Sequence, residues 1–252
     1  MSQSRQSEDP KTLVRFWSLN HHRPEEILWP ASPWPKVVFA LEGVLRIQTT
    51  SRVHLIPTNR ALFVPAGEVH PTRTLNKAQV RTIYFAPELQ VECDEHVLEV
   101  RPLFRELIAE ACRTGPLTED RCKDQALTAL LIHEVDVAPR TPTSVPMPRS
   151  DRLKKWALAF LENPRTPDAA GYSGRTLERL VLAETGLTLG QWRQQARALV
   201  GLRELSLGAT VLEAAVTAGF DTSSGFIQSF KKQMGVTPAR MAKLVRSLPF
   251  SS

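Results

Sequence analysis

The residues of this 252-residue chain best suited to chemistry lie near its end, in GFDTSSGFIQSFKKQMG at 219–235. Phe226, Phe230 and Met234 recur every fourth position, which sets them on one face of a helix. The opposite face carries Ser223, Ser224, Gly225, Gln228, Lys231 and Lys232. Small residues let a backbone approach a partner closely. Gln228 matches an adenine edge, and the lysines match guanine edges or phosphates, so the expected chemistry is readout of a DNA major groove. A glycine inside a helix costs about 1 kcal/mol relative to alanine, and close approach to the bases would offset that cost at Gly225.

Such a helix has to be braced, and the preceding residues supply the brace. Thr210-Val211-Leu212-Glu213 is a capping box, Ala214 and Ala215 keep the next turns slim, and Gly219 permits a sharp turn before Asp221 or Thr222 caps the following helix. The pattern occurs twice. Gly171-Tyr172 and Gly219-Phe220 each precede a helical run, and Leu177 to Gly186 spans the same nine positions as Phe226 to Gly235. Both runs end in Gly-Leu/Val-Thr, as left-handed helix caps do. Two helix–turn–helix units are therefore expected, joined by a helix from about Trp192 to Leu207. In the first unit Arg175 and Arg179, four apart, are placed to meet phosphate or guanine. The units are unequal: Thr210 precedes its turn glycine by nine residues and Thr166 by five. The first is short by about one helical turn.

Charge divides the chain in the same place. Residues 1–140 hold 17 Lys and Arg against 18 Asp and Glu, whereas 141–252 hold 15 against 8. The second part is suited to a polyanion. All six histidines fall in the first part. Between them, APRTPTSVPMPRS (138–150) reads as an extended, semi-rigid linker. Short β-type runs occupy 12–90, including a hairpin signal at Glu42-Gly43, and helical periodicity follows over 102–137. Cys93, Cys112 and Cys122 have no metal or disulfide spacing and read as buried thiols. The polar start is no signal peptide and no apolar run spans a membrane, so a cytoplasmic location is expected.

The residues Gly219, Phe220, Ser224, Phe226, Phe230, Lys231, Gly235, Thr237 and Pro238 make the last hundred residues resemble the AraC/XylS family of bacterial transcription regulators. Arg175, Thr176, Leu177, Arg179, Leu180, Glu184, Thr185, Gly186 and Trp192 continue the resemblance upstream. Gly225 departs from it, since the family usually has a larger residue there. ALEGVLRIQT and ALFVPAGEVH resemble the family's cupin-like sensor domain. The resemblance implies an α+β multidomain fold: a tail at 1–11, a cupin-like β-barrel with closing helices at 12–137, the linker, and a double helix–turn–helix domain at 151–248. It also implies double-stranded DNA, a small-molecule effector, a second copy bound through 102–137, and RNA polymerase as partners. A metal-dependent cupin enzyme fused to helices is the competing reading. His70 matches the cupin's second motif, but the first motif's histidines are replaced by Ala31-Ser32-Pro33-Trp34, leaving only His21-His22 nearby. A lone histidine is not a metal site. No catalytic residue, metal or cofactor is therefore assigned, and Trp34, Phe39, Phe63, His70 and Tyr84 are the candidates for an effector pocket.

Overall fold

The computed structural model describes residues 12–91, 94–165 and 171–246. The expected tail at 1–11, Cys93, and the segment 166–170 that holds the shortened turn lie outside the described residues.

The first half comprises β1 (Thr12–His21), β2 (Glu26–Trp29), β3 (Lys36–Glu42), β4 (Leu45–Gln48), β5 (Arg52–Ile56), β6 (Arg60–Val64), β7 (His70–Thr74), β8 (Ala78–Phe85), β9 (His96–Glu99), α1 (Pro102–Thr114), β10 (Leu117–Thr118) and α2 (Cys122–Val137), followed by β11 (Ser144–Pro146). The strands form two antiparallel sheets, β10-β1-β8-β3-β6-β9 and β11-β5-β4-β7-β2. The cupin-like domain is thus a two-sheet sandwich; its sheets do not close into a barrel. The hairpin expected at Glu42-Gly43 is a turn between sheets: β3 pairs with β6 and β8, whereas β4 pairs with β5 and β7. Gly43 has φ +87°, and a Cβ there would lie 2.3 Å from the Lys77 carbonyl oxygen, so only glycine fits the crossing.

Strand alternation sorts the residues into layers. Val38 and Ala40 of β3, Leu62 and Val64 of β6 and Val80 of β8 point between the sheets, where they meet Leu45, Ile47 and Ile56. Their neighbours Val37, Phe39, Ala61, Phe63, Ile83 and Phe85 point outward, under Phe104, Leu107, Ile108, Leu127 and Leu131 of α1 and α2. Of the thiols expected to be buried, Cys112 is half-buried and Cys122, the first residue of α2, is exposed.

Residues 138–150 connect the halves as part of the second sheet. Ser144, Val145 and Pro146 pair with His54, Val53 and Arg52, and Val145 and Met147 are buried. The linker expected from proline content is therefore extended but hydrogen-bonded. Proline's missing donor is tolerated because β11 is an edge strand.

The second half contains α3 (Asp151–Glu162), α4 (Gly174–Thr185), α5 (Leu189–Ser206), α6 (Val211–Thr217), α7 (Ser223–Met234) and α8 (Pro238–Arg246). One apolar cluster runs from Val44, Val53, Leu55, Val145 and Met147 of the second sheet into Trp156, Phe160, Trp192, Leu199, Phe226 and Phe230 of the helices. Trp192 is fully buried between Trp156 and Phe160, and its indole Nε1 donates to the Pro146 carbonyl at 2.7 Å. The order of layers is therefore α1/α2, first sheet, second sheet, helical half.

Candidate nucleic-acid interface

Helix α7 is built as its spacing requires. Phe226, Phe230 and Met234 are buried, while Ser224, Ile227, Gln228, Lys231 and Lys232 are exposed and Ser223 and Gly225 are half-buried. Thr222 caps it, accepting the Gly225 backbone N–H at 3.2 Å, and Gly235 ends it at φ +75°. The capping box of α6 is complete: Thr210 Oγ1 accepts the Glu213 N–H at 3.2 Å, and the Glu213 carboxylate accepts the Thr210 N–H at 2.8 Å. A Cβ at Gly225 would come 3.1 Å from Thr222 Oγ1, so the glycine also leaves room for the cap.

A residue the sequence did not single out sets how α7 is seated. Gly201, in the middle of α5, would place a Cβ 2.5 Å from Cε2 and 2.8 Å from Cζ of Phe226. Only glycine lets α5 and α7 cross this closely. The signal was an isolated glycine in a helical run, QQARALVGLREL, where the cost of about 1 kcal/mol implies a packing reason.

Helix α4 occupies the equivalent place in the first unit. Leu177 and Val181 are buried against α5, and Arg175 and Arg179 are exposed. Ser173 caps it through the Thr176 N–H at 3.3 Å, and Gly186 ends it at φ +73°. Arg175 and Arg179 line an open concavity of about 830 Å³ between α4 and the start of α5. Glu184 accepts the backbone N–H groups of Arg149 at 2.8 Å and Ser150 at 2.9 Å, tying the end of α4 to the chain entering α3. Burial opposes ionisation of Glu184, but these hydrogen bonds outweigh it and hold its pKa below the ordinary carboxylate value.

Known proteins place this geometry. Residues 168–243 match a protein family described as a helix-turn-helix domain. Residues 168–243 are an AraC-type helix-turn-helix domain. The chain is 27% identical over 228 residues to the HTH-type transcriptional regulator NimR of Escherichia coli K12, covering 86% of this chain and 83% of the relative. It is 27% identical over 176 residues to the HTH-type transcriptional regulator RipA of Corynebacterium glutamicum, covering 62% of this chain and 53% of the relative. A solved structure of ToxT from Vibrio cholerae aligns with a TM-score of 0.37 at 11% identity over 93% of this chain and 99% of that one. The AraC-like activator CuxR aligns with a TM-score of 0.27 at 12% identity over 98% and 85%. Within the AraC-type domain, the glycine and phenylalanine positions that carry the sequence resemblance are the turn, the cap and the buried face of the second unit.

The sandwich that accompanies the AraC-type domain divides the five effector candidates. Phe39 and Phe63 lie on the helix-covered face of the first sheet; both occupy odd positions of strands whose even positions point inward. Phe63 instead stacks on His96 and borders a proline-lined groove of about 670 Å³. These two therefore do not share a pocket with His70. His70 is fully buried between the sheets, stacked on Trp29 with ring centroids 6.2 Å apart. Desolvation, with the nearby Lys36 charge, pushes its pKa down to about 3, so it is neutral at physiological pH. Tyr84 lies inward on β8, directly opposite Lys36 of β3 on one side and Arg15 of β1 on the other. Burial lifts the Tyr84 phenol to about 12 and lowers the Lys36 ammonium to about 8. Trp34 is half-buried, with the Arg15 guanidinium 4.1 Å from its ring centroid. His54 Nε2 meets Glu95 Oε1 at 2.7 Å, and His21 Nδ1 meets Glu25 at 2.7 Å. Sequence reasoning missed Lys36 and Trp29: a lysine at the start of VVFAL reads as the exit of a strand to solvent.

Proposed function

We propose that the chain is a sequence-specific DNA-binding transcription regulator. Its helix α7 enters the major groove, and a small molecule bound between the sheets sets its activity. The observation that carries this reading is the face of α7: two serines, Gln228, two lysines and Ile227 surround a small central residue, above a fully buried aromatic row. Gln228 suits adenine, Ile227 suits a thymine methyl, and the lysines suit guanine or phosphate. The names of the two relatives support the same role. Arg175 and Arg179 of α4 supply a second contact one unit away.

Regulation needs a ligand that binds two arrangements unequally and an element that both sites share. Strand β5 is such an element. His54 faces the interior, while its neighbours Val53 and Leu55 pack on the helical half. The regulator acts as a homodimer through α2, whose Ala126, Leu130, His133 and Val137 recur at heptad spacing and are all exposed. Its place is the cytoplasm, where the DNA is, and RNA polymerase is the partner it meets at a promoter.

Selection of DNA fragments by the purified protein tests the reading. One enriched sequence is expected, with Gln228→Ala losing preference at a single base pair. Binding without enrichment, or identical preferences in the variant, would remove α7 from the groove.

A further inference from the structure

The sandwich interior contains a group of polar side chains that folding alone does not require. Lys36 is 1% exposed, and among the described residues no carboxylate lies within ion-pair distance of it. Its nearest described partner is the Tyr84 ring, 5.5 Å from Nζ to the centroid. Glu95, the carboxylate that His70 senses, is already engaged by His54. Trp29 is nearly buried, and among the described residues its Nε1, which can only donate, has no partner. Thr82 Oγ1, on the inward face of β8 two residues from Tyr84, is likewise buried with no partner among the described residues. The same holds for His70 Nε2.

These groups belong to one place. Arg15, Tyr84 and Lys36 form a cross-strand row over β1, β8 and β3. Trp29 and His70 are cross-strand neighbours on the facing sheet. Trp17 of β1 meets Trp29 of β2 edge-on at 6.4 Å, joining the two sheets at their edges, and Trp17 is 53% exposed, so this is the side open to solvent. A buried ammonium without a counter-ion and a buried indole N–H without an acceptor are each unfavourable, and both lack the same thing: an acceptor with negative charge. The walls around them are flat rings.

We infer that the effector is a flat organic carboxylate, its carboxylate on Lys36, Trp29 Nε1 and Thr82 Oγ1 and its ring system between Trp29 and Tyr84. This rests on the reading of the sandwich as the effector-binding half and names the class of effector. The arrangement sets a charge-assisted contact against a neutral one, so an acid and its amide of the same shape are bound unequally. It also places the site beside His54, on the strand that abuts the helical half.

The test uses the full-length protein with benzoate and 2-naphthoate, each paired with its amide. Tryptophan fluorescence reports binding, since Trp17, Trp29 and Trp34 lie at or beside the site. A saturable change with at least one acid is expected, with its amide weaker by about tenfold or more. Lys36→Met should bind that acid no better than the amide. Without ligand, Lys36→Met should melt at a higher temperature than the parent, because it removes a buried unpaired charge. Thr82→Val, which keeps the shape, should weaken the acid by roughly three- to tenfold. A lower melting temperature in Lys36→Met with acid affinity unchanged would mean that the lysine is structural, and would overturn the assignment. If the amides bind as tightly as the acids and change operator affinity, the effector reading stands and the carboxylate class falls. If neither series is bound, the interior site falls together with the class.

Discussion

The two helix–turn–helix units share a plan and differ in what holds the exposed helix. In the second unit α7 buries two phenylalanines and a methionine, and Phe220, Phe226 and Phe230 form a continuous row with centroids 5.4 Å apart. It is packed on α5, α6 and α8. In the first unit α4 buries Leu177 and Val181, and α5 is its main described support. Its far end is fastened instead by polar contacts, from Glu184 to the backbone of Arg149 and Ser150. The units also touch: Pro164, on the approach to the first, would be 3.2 Å from a Cβ on Gly219, the turn of the second. A base contact discriminates only if the helix presenting it cannot shift to suit another base. The better-braced helix should therefore carry specificity, and the lighter one affinity.

Packing gives the largest test of that difference. Phe226→Ala should cost about 3–5 kcal/mol in urea unfolding, and Leu177→Ala should fall near the low end of the roughly 2–5 kcal/mol range for buried leucine. Equal losses would mean that the two helices are held alike. Gly201→Ala should cost roughly 1–3 kcal/mol, because its Cβ would meet the Phe226 ring. In the Phe226→Ala background the ring is gone, so the same substitution should cost much less. Additive losses in that double-mutant cycle would show that Gly201 is needed for some other reason.

What the sequence disclosed follows the range of the forces involved. The box at Thr210 and Glu213, the glycine caps at 186 and 235, and the buried face of α7 are local, and each was readable within a few residues. The helix-turn-helix reading is supported in the same way by the family match over 168–243. Pairing is not local. Glu42-Gly43 announces a turn but cannot say that β3 and β4 will join different sheets. Strand parity put Phe39 and Phe63 on the helix side, since alternation fixes faces only once one face is assigned. The prolines of 138–150 indicated an extended chain, but not that the edge of the second sheet would take it in. Lys36 and Gly201 depend on what crosses them: an isolated glycine in a helical run hints at a packing reason but not at Phe226 as the partner, and nothing near Lys36 reveals its burial.

Binding sharpens the comparison at a smaller scale. Gln228→Ala should lose about 1–3 kcal/mol of discrimination at one operator position. Arg179→Ala should weaken all operator variants by a similar factor and reduce the slope of log affinity against log salt by about one. Titrations of single-base operator variants at two salt concentrations measure both. If Arg179→Ala erases discrimination in its own half-site as fully as Gln228→Ala does in the other, α4 reads bases on equal terms and the division of roles fails.

The smallest effect concerns the caps. Thr210 takes part in a reciprocal pair, with its hydroxyl accepting the Glu213 N–H and the Glu213 carboxylate accepting the Thr210 N–H, so two otherwise orphaned donors are satisfied. The Thr210 N–H, together with the Thr210 hydroxyl donating to the same carboxylate at 2.8 Å, keeps the exposed Glu213 carboxyl below its ordinary pKa. Ser173 makes the simpler cap: it accepts the Thr176 N–H at 3.3 Å, while its hydroxyl is shared with the Thr176 hydroxyl at 2.9 Å. Thr210→Ala removes one half of the box and leaves the Glu213 carboxylate with a single partner, so a loss of about 1 kcal/mol is expected. Ser173→Ala breaks one longer bond at an exposed helix start, and the loss should be about 0.5 kcal/mol, the low end for caps. The consequence for DNA runs the other way. Thr210 caps α6, which braces α7 without presenting its readout face, so Thr210→Ala should lower stability with little change in base preference. Ser173 caps α4 itself, beside Arg175, so Ser173→Ala should loosen the helix that carries the arginines and weaken operator affinity more than its stability cost suggests. Unfolding in urea and operator titration on the same two variants give four numbers. Should Ser173→Ala cost the greater stability, or Thr210→Ala the greater affinity, α4 would be the more firmly organised of the two helices and the comparison would invert.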